Sequence, residues 1–302
     1  MKETYRIKSV SELHHLFNLP KPKYPLLSLI NLEEMEFADS TIWNKFTSDL
    51  YIISIKKGIK GKMTYGQNQY DFDEGLLSFF APNQVIALSN IEEINISGYT
   101  LLIHPNFLKG YQIEQSINKY NFFDYATNEA LFLSEIEEKN IQQCFQLIEQ
   151  EINTNIDQYS QEIIISQLDL LLVYAKRYYN RQFITRKNLN NDLLSNFEML
   201  LNDYFQNNNI DIIETTPINY FAKQLNVSSK YLSDALKNVT GLTTQQLFHD
   251  KLIQKAKVLL STTNYSISEI AYELKFEYPQ SFHKLFKKKT GLSPLEFRNS
   301  FN

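Results

Sequence analysis

The sequence predicts an α+β chain in two parts. The N-terminal part is strand-rich and closes into a small antiparallel barrel with flanking helices; the C-terminal part is all-helical. Three observations predict this. Short β-branched and aromatic runs separated by turn residues fill residues 50–104. The apolar period changes to a helical one from about residue 129. Beyond residue 210 the chain repeats itself at an offset of 49 to 50 residues.

The strands come first. Leu50-Tyr51-Ile52-Ile53-Ser54-Ile55 is followed by short runs at Met63–Tyr65, Gln69–Phe72, Leu76–Ala81, Gln84–Leu88 and Tyr99–His104. Gly58, Gly61, Gly66-Gln67-Asn68, Asp73-Glu74-Gly75 and Pro82-Asn83 punctuate them, which suits a small barrel or sandwich. Leu131, Ile136, Ile141, Phe145, Ile148 and Ile152 then lie on one helical stripe. Ile163, Ile164, Leu168, Leu171, Leu172 and Ala175 lie on a second. This gives an N-terminal domain over 1–180, helical from about 120 to 180. The polar, basic run 181–190 is expected to be a linker, and a C-terminal domain follows over 191–302.

Composition narrows the class. With 43% hydrophobic and 21% charged residues the chain is globular rather than disordered. No stretch reaches the eighteen or so apolar residues a membrane span needs, and the polar start at Met1-Lys2-Glu3 lacks a signal-peptide core, so a cytoplasmic protein is expected. The lone Cys144 cannot form an internal disulfide. Net charge is −4, but residues 1–209 carry −8 and residues 210–302 carry +4, with 12 Lys+Arg against 8 Asp+Glu. Segregation of this kind marks the C-terminal part as the candidate for nucleic acid.

Each repeat reads as helix, turn, helix, over about 217–240 and 266–290. Phe221-Ala222 matches Ile270-Ala271, Leu236-Lys237 matches Phe286-Lys287, and Thr240-Gly241-Leu242 matches Thr290-Gly291-Leu292. Ser228 is placed to cap a helix, while Thr243/Gln246 and Ser266/Glu269 are capping boxes. A helix with Phe248, Leu252, Ala256 and Leu259 on one face joins the copies. A small residue at the fifth position of each first helix, Ala222 or Ala271, lets two helices cross closely, as in a helix-turn-helix.

On these residues, with the ending Phe286-Lys-Lys-Lys-Thr-Gly-Leu-Ser-Pro-Leu-Glu-Phe-Arg298, residues 210–302 resemble the DNA-binding domain of AraC-type transcriptional regulators. Lys57-Gly58, Tyr65-Gly66, Tyr70-Asp71-Phe72 and Phe79–Gln84 resemble the cupin-like sensor domain of that family, in its Bacteroidetes-type variant. The resemblance implies double-stranded DNA read in two successive major grooves, about 34 Å apart. It places the reading positions on Ser229, Lys230, Ser233 and Asp234, with Lys237 beside them, and on Gln280, His283 and Lys284. Lys287 and Lys288 are expected to hold phosphates. Lys275 stands where the family usually has glycine, and Tyr278 is an unusual N-cap. A homodimer, a small-molecule effector and contact with RNA polymerase are further implications.

Tyr51, Tyr65, Tyr70, Phe72 and Phe80 are the candidate lining of an effector pocket, although a core role is the commoner fate of such rings. None of His14, His15, His104, His249 and His283 forms a His-x-His pair, so neither a metal site nor a cofactor is expected. Two other readings compete with the ligand-controlled regulator. One is a regulator whose N-terminal domain only dimerises. The other is a barrel enzyme, which the lack of a phosphate loop and of a Gly-x-Ser-x-Gly elbow disfavours.

Overall fold

The computed structural model describes residues 4–35, 40–43, 45–57, 63–65, 68–70, 75–86, 97–126, 129–206 and 217–300. The chain divides into two compact units. One is Met1–Asn191 with Ala222–Leu232, and the other is Asp192–Phe221 with Ser233–Asn302.

In the first unit the strands are β1 (Tyr5–Ile7), β2 (Leu27–Asn31), β3 (Phe46–Ser48), β4 (Tyr51–Lys57), β5 (Met63–Tyr65), β6 (Asn68–Tyr70), β7 (Leu76–Phe80), β8 (Val85–Ile86), β9 (Ser97–Ile103) and β10 (Leu131–Phe132). The expected closed barrel is not what they form. The described strands make an antiparallel five-stranded sheet in the order β10-β7-β4-β9-β2, a three-stranded sheet β1-β3-β8 and the hairpin β5-β6. The larger sheets meet through side chains instead of closing through hydrogen bonds. Ile30, Ile52, Phe80 and Leu102, on one face of the five-stranded sheet, share a core with Ile7, Phe46 and Ile86 of the three-stranded sheet. That core also holds Val10, Leu13 and Phe17, from helix α1 (Val10–Leu16) and its end, and Trp43 from α2 (Ser40–Trp43).

Period-2 alternation sends Tyr51, Ile53, Ile55, Leu77 and Phe79 to the opposite face, and all five are buried. Aromatic rings cover that face: Phe79 lies 4.4 Å from Phe122, and Phe122 stacks on Tyr179 at 5.4 Å. After the short helix α3 (Gln112–Ser116) two long helices follow, α4 (Glu135–Asn153) and α5 (Ser160–Thr185). Ser134 and Glu137 form a capping box that fixes where α4 begins, so Leu131 belongs to β10, paired with Leu77, and not to the helical stripe. The buried face of α4 is Ile141, Cys144, Phe145 and Ile148; Ile136 and Ile163, placed by their spacing on the apolar stripes, are exposed.

The expected linker at 181–190 is helical. Helix α5 continues to Thr185 and α6 (Lys187–Gln206) starts two residues later. Local polarity misleads here because Gln182 and Asn190 are buried and bonded. Gln182 accepts from Phe132 N–H at 2.9 Å, and Asn190 donates to Phe183 O at 2.7 Å. Residues 222–232, expected with the C-terminal domain, count with the first unit. There the Tyr231 ring meets Tyr125 edge-on at 5.4 Å, and buried Glu129 accepts from the Ser228 hydroxyl at 2.5 Å. Burial raises the Glu129 carboxyl above its usual range, against the lowering effect of those hydrogen bonds.

The remaining helices are α7 (Pro217–Gln224), α8 (Ser229–Thr240), α9 (Thr244–Thr262), α10 (Ile267–Glu273), α11 (Pro279–Thr290) and α12 (Pro294–Asn299). In the second unit Phe197, Phe221 and Phe248 share an aromatic core with Tyr204 and Phe205. Phe282 and Phe286 of α11 are fully buried, and Phe286 meets Phe297 of α12 at 5.5 Å. Among the described residues no helix is long and apolar enough to cross a membrane.

Candidate nucleic-acid interface

Both halves of the repeat fold as helix, turn, helix, and the two turns have the same construction. Asn226 (φ 56°) and Lys275 (φ 64°) take the left-handed conformation. In the first turn Asn226 N–H donates to Lys223 O at 3.2 Å and Val227 N–H to Ala222 O at 3.0 Å. In the second Lys275 N–H donates to Tyr272 O and Phe276 N–H to Ala271 O, both at 2.9 Å. These are paired Schellman closures, which satisfy the last carbonyls of α7 and α10. Ala222 and Ala271 are buried, as a close helix crossing requires.

The second helix of each unit is set by its ends. Ser228 accepts from Tyr231 N–H at 3.1 Å and so caps α8. Helix α11 opens on Pro279, and its N-cap Tyr278 supplies no side-chain bond, only its carbonyl to Ser281 N–H at 3.0 Å. Both helices stop at a left-handed glycine, Gly241 (φ 78°) and Gly291 (φ 81°). Capping boxes at Thr243/Gln246 and Ser293/Glu296 then start α9 and α12, so the duplication extends into the helix after each unit. A third box, Ser266/Glu269, starts α10; the Ser266 N–H and hydroxyl hold Glu269 below the usual carboxylate range.

Helical spacing places the candidate residues on one face of each helix. On α8 Lys230, Ser233, Asp234 and Lys237 sit at i, i+3, i+4 and i+7, opposite the buried Leu232, Ala235 and Leu236. On α11 Gln280, His283, Lys284 and Lys287 repeat that spacing fifty residues on, opposite Phe282 and Phe286. Lys230, Lys237 and all four of the α11 residues are exposed, as is Lys288; Ser229, Ser233 and Asp234 are half-buried. Ser229 and Asp234 are already engaged by other groups of the chain. The 50-residue offset also brings in Asn238, the exposed counterpart of Lys288, which residue-type reasoning passes over.

The charge is concentrated on α11. Lys289 is held by Asp250 at 2.6 Å. Lys284, Lys287 and Lys288 make no ion pair within 4 Å among the described residues. Hydrogen bonds from Ser293 hold the Glu296 carboxyl below the usual range, and the charges of Lys287 and His283 add to this. One exposed helix face therefore offers three ammonium groups and the two side chains Gln280 and His283. It can hold phosphates and present amide or imidazole edges to bases.

The pocket candidates do not form one group. Tyr51 and Phe80 lie on opposite faces of the five-stranded sheet, because Phe80 is paired with Ile52. The Tyr51 hydroxyl donates to Asn118 at 3.2 Å, whereas Phe80 belongs to the inter-sheet core. Tyr65 ends β5 and Tyr70 ends β6, while Phe72 lies outside the described residues. Among the described residues no three His, Cys, Asp or Glu side chains gather as metal ligands.

A helix-turn-helix domain family matches residues 221–300. The uncharacterized HTH-type transcriptional regulator YisR of Bacillus subtilis is 36% identical over 85 residues, 28% of this chain and 30% of that protein. The arabinose operon regulatory protein of Escherichia coli is 32% identical over 98 residues, 32% of each chain. Histidine kinase P4 of Formosa agariphila is 27% identical over 119 residues, 39% of this chain and 8% of that protein. This chain spans under a third of the length of each of these relatives.

Proposed function

We infer that this chain, which carries a helix-turn-helix domain of the AraC type at residues 221–300, is a sequence-specific DNA-binding transcription regulator and not an enzyme. The observation that carries the reading is the duplicated turn-and-helix geometry, with Lys230/Gln280, Ser233/His283, Asp234/Lys284 and Lys237/Lys287 at matching positions of α8 and α11. Gln280 is suited to adenine, Lys284 to guanine or phosphate, and Lys287 and Lys288 to phosphates.

The N-terminal part acts as a cupin-like sensor and dimerisation domain in the cytoplasm. Ile163, Leu170, Val173 and Ile184, exposed at helical spacing along α5, support pairing of two chains through this helix. The dimer occupies two sites, and a small molecule bound by the sensor alters that occupancy and hence the access of RNA polymerase. The test is enrichment of random duplexes by the full chain at two salt concentrations. A motif of two boxes about one helical turn apart, with affinity falling steeply in salt, is expected. Sequence-independent retention at both salts would overturn the reading.

A further inference from the structure

The amino end of α8 is held within the first unit, to which Ala222–Leu232 belongs. The Glu129 carboxylate accepts three hydrogen bonds: from the Ser228 N–H and the Ser228 hydroxyl, at 2.5 Å each, and from Ala126 N–H at 2.6 Å. Two of these donors are thus the N-cap of α8. The Ser228 oxygen also accepts from Tyr231 N–H at 3.1 Å, so it closes the first turn of the helix while its proton serves Glu129. A negative charge placed here is drawn by the positive end of the helix dipole. The contact has an aromatic half as well. Tyr231 is 9% exposed, and its ring lies 5.3 Å from Phe183 and 5.4 Å from Tyr125.

Glu129 is fixed from behind. The Tyr179 hydroxyl donates to its carbonyl at 3.2 Å, Gln182 donates to Ala130 O at 3.3 Å and accepts from Phe132 N–H at 2.9 Å, and Arg181 donates to Phe132 O at 2.7 Å. Three side chains of α5 therefore button down the backbone from 129 to 132. The Glu129 side chain is 4% exposed and makes no ion pair within 4 Å among the described residues. Burying a carboxylate without a cation is costly, and an apolar side chain would pack there at lower cost. The groups it occupies are ones that DNA requires. A recognition helix meets the duplex with its amino end, and helix N-termini and short hydroxyls are among the donors that hold phosphates. Ser229 and Lys230, two of the reading positions, follow Ser228 directly. With Glu129 in place the Ser228 donors are spent, and a fixed negative charge faces the approaching phosphates. The amino end of α11 is open by comparison: Tyr278, Gln280 and Ser281 are all exposed.

We propose that the Glu129–Ser228 clasp is an autoinhibitory contact that withholds α8 from DNA. The chain at rest engages one box through α11, and gains the second only when Glu129 releases the N-cap of α8. The inference rests on the regulator reading above and names how that interface is regulated.

The full chain is titrated with the enriched two-box duplex and with two versions in which one box is scrambled. The α8 box is the one whose scrambling costs Lys230→Ala less than it costs the natural chain. Glu129→Gln removes the charge and leaves an amide donor facing the Ser228 donors. Phe183→Leu loosens the aromatic half from a different element. Both changes are close in size and should fold, which melting curves check. Each variant is expected to bind the two-box duplex at least fivefold more tightly than the natural chain, and the duplex without the α8 box with unchanged affinity. A purely structural role would weaken binding to both duplexes or to neither. Unchanged or weaker binding of the two-box duplex by both variants overturns the proposal, as does an equal gain on the duplex without the α8 box. If the natural chain enriches no motif, the regulator reading itself fails; if it enriches one that the variants bind no better, only the clasp fails.

Discussion

Lys284 is one exposed side chain on α11, and what it touches in a complex decides its energetic weight. If it reads a base, Lys284→Ala costs about 1–3 kcal/mol and relaxes preference at one position; a phosphate contact weakens all sequences alike and lowers the salt slope by about 1. Competition binding of the full chain against single-base variants of the enriched site distinguishes the two. Lys275 carries a different burden. A side chain at φ 64° costs about 1–2 kcal/mol, more than the entropy glycine brings to the unfolded chain. Lys275→Gly is therefore expected to stabilise the protein by about 0.5–1 kcal/mol, read from denaturant midpoints. His249 sets a pH dependence. Its imidazole is held below the ordinary value, first by burial and then by Lys289. The folded state thus favours the neutral ring, so this contribution is complete above about pH 6.5 and is lost as pH falls toward the folded value. His249→Gln should lose less stability than the natural chain between pH 7 and pH 5; parallel curves from thermal melts would contradict this.

Among the elements, the crossing of α10 and α11 depends on Ala271, which is fully buried where the two helices meet. Ala271→Leu adds three carbons where no space exists, and is expected to cost at least about 1–3 kcal/mol in equilibrium unfolding of the full chain. The capping boxes at Thr243 and Ser266 were legible because a cap is a bond between a side chain and backbone three residues away. The same holds for the turns at Asn226 and Gly291, whose φ values follow from residue type. Elements of weak local signal were less legible. β1, β2, β3 and β10 are short, and each owes its existence to a distant partner: Tyr5 pairs with Phe46, and Leu131 with Leu77. The helical run through 181–190 was hidden because its buried polar residues, Gln182 and Asn190, look like linker residues until their partners are known.

For the whole molecule, the segregation of −8 before residue 210 and +4 after it predicts that salt weakens DNA binding while leaving self-association largely unaffected. Pairing through the exposed stripe of α5 gives a concentration-dependent dimer in sedimentation velocity. Leu170→Glu combined with Val173→Glu is expected to raise its dissociation constant at least tenfold, and unchanged association would move the dimer contact elsewhere. The sequence by itself determined the helix-turn-helix units, their caps and the exposed faces of α8 and α11, because helical structure is written in contacts three and four residues apart. Only the tertiary structure decided that the described strands form packed sheets, that Tyr51 and Phe80 part to opposite faces, and that Gln182 and Asn190 are buried and bonded. Strand register and the satisfaction of buried polar groups depend on residues far apart in the chain, so they exist only once the chain has folded.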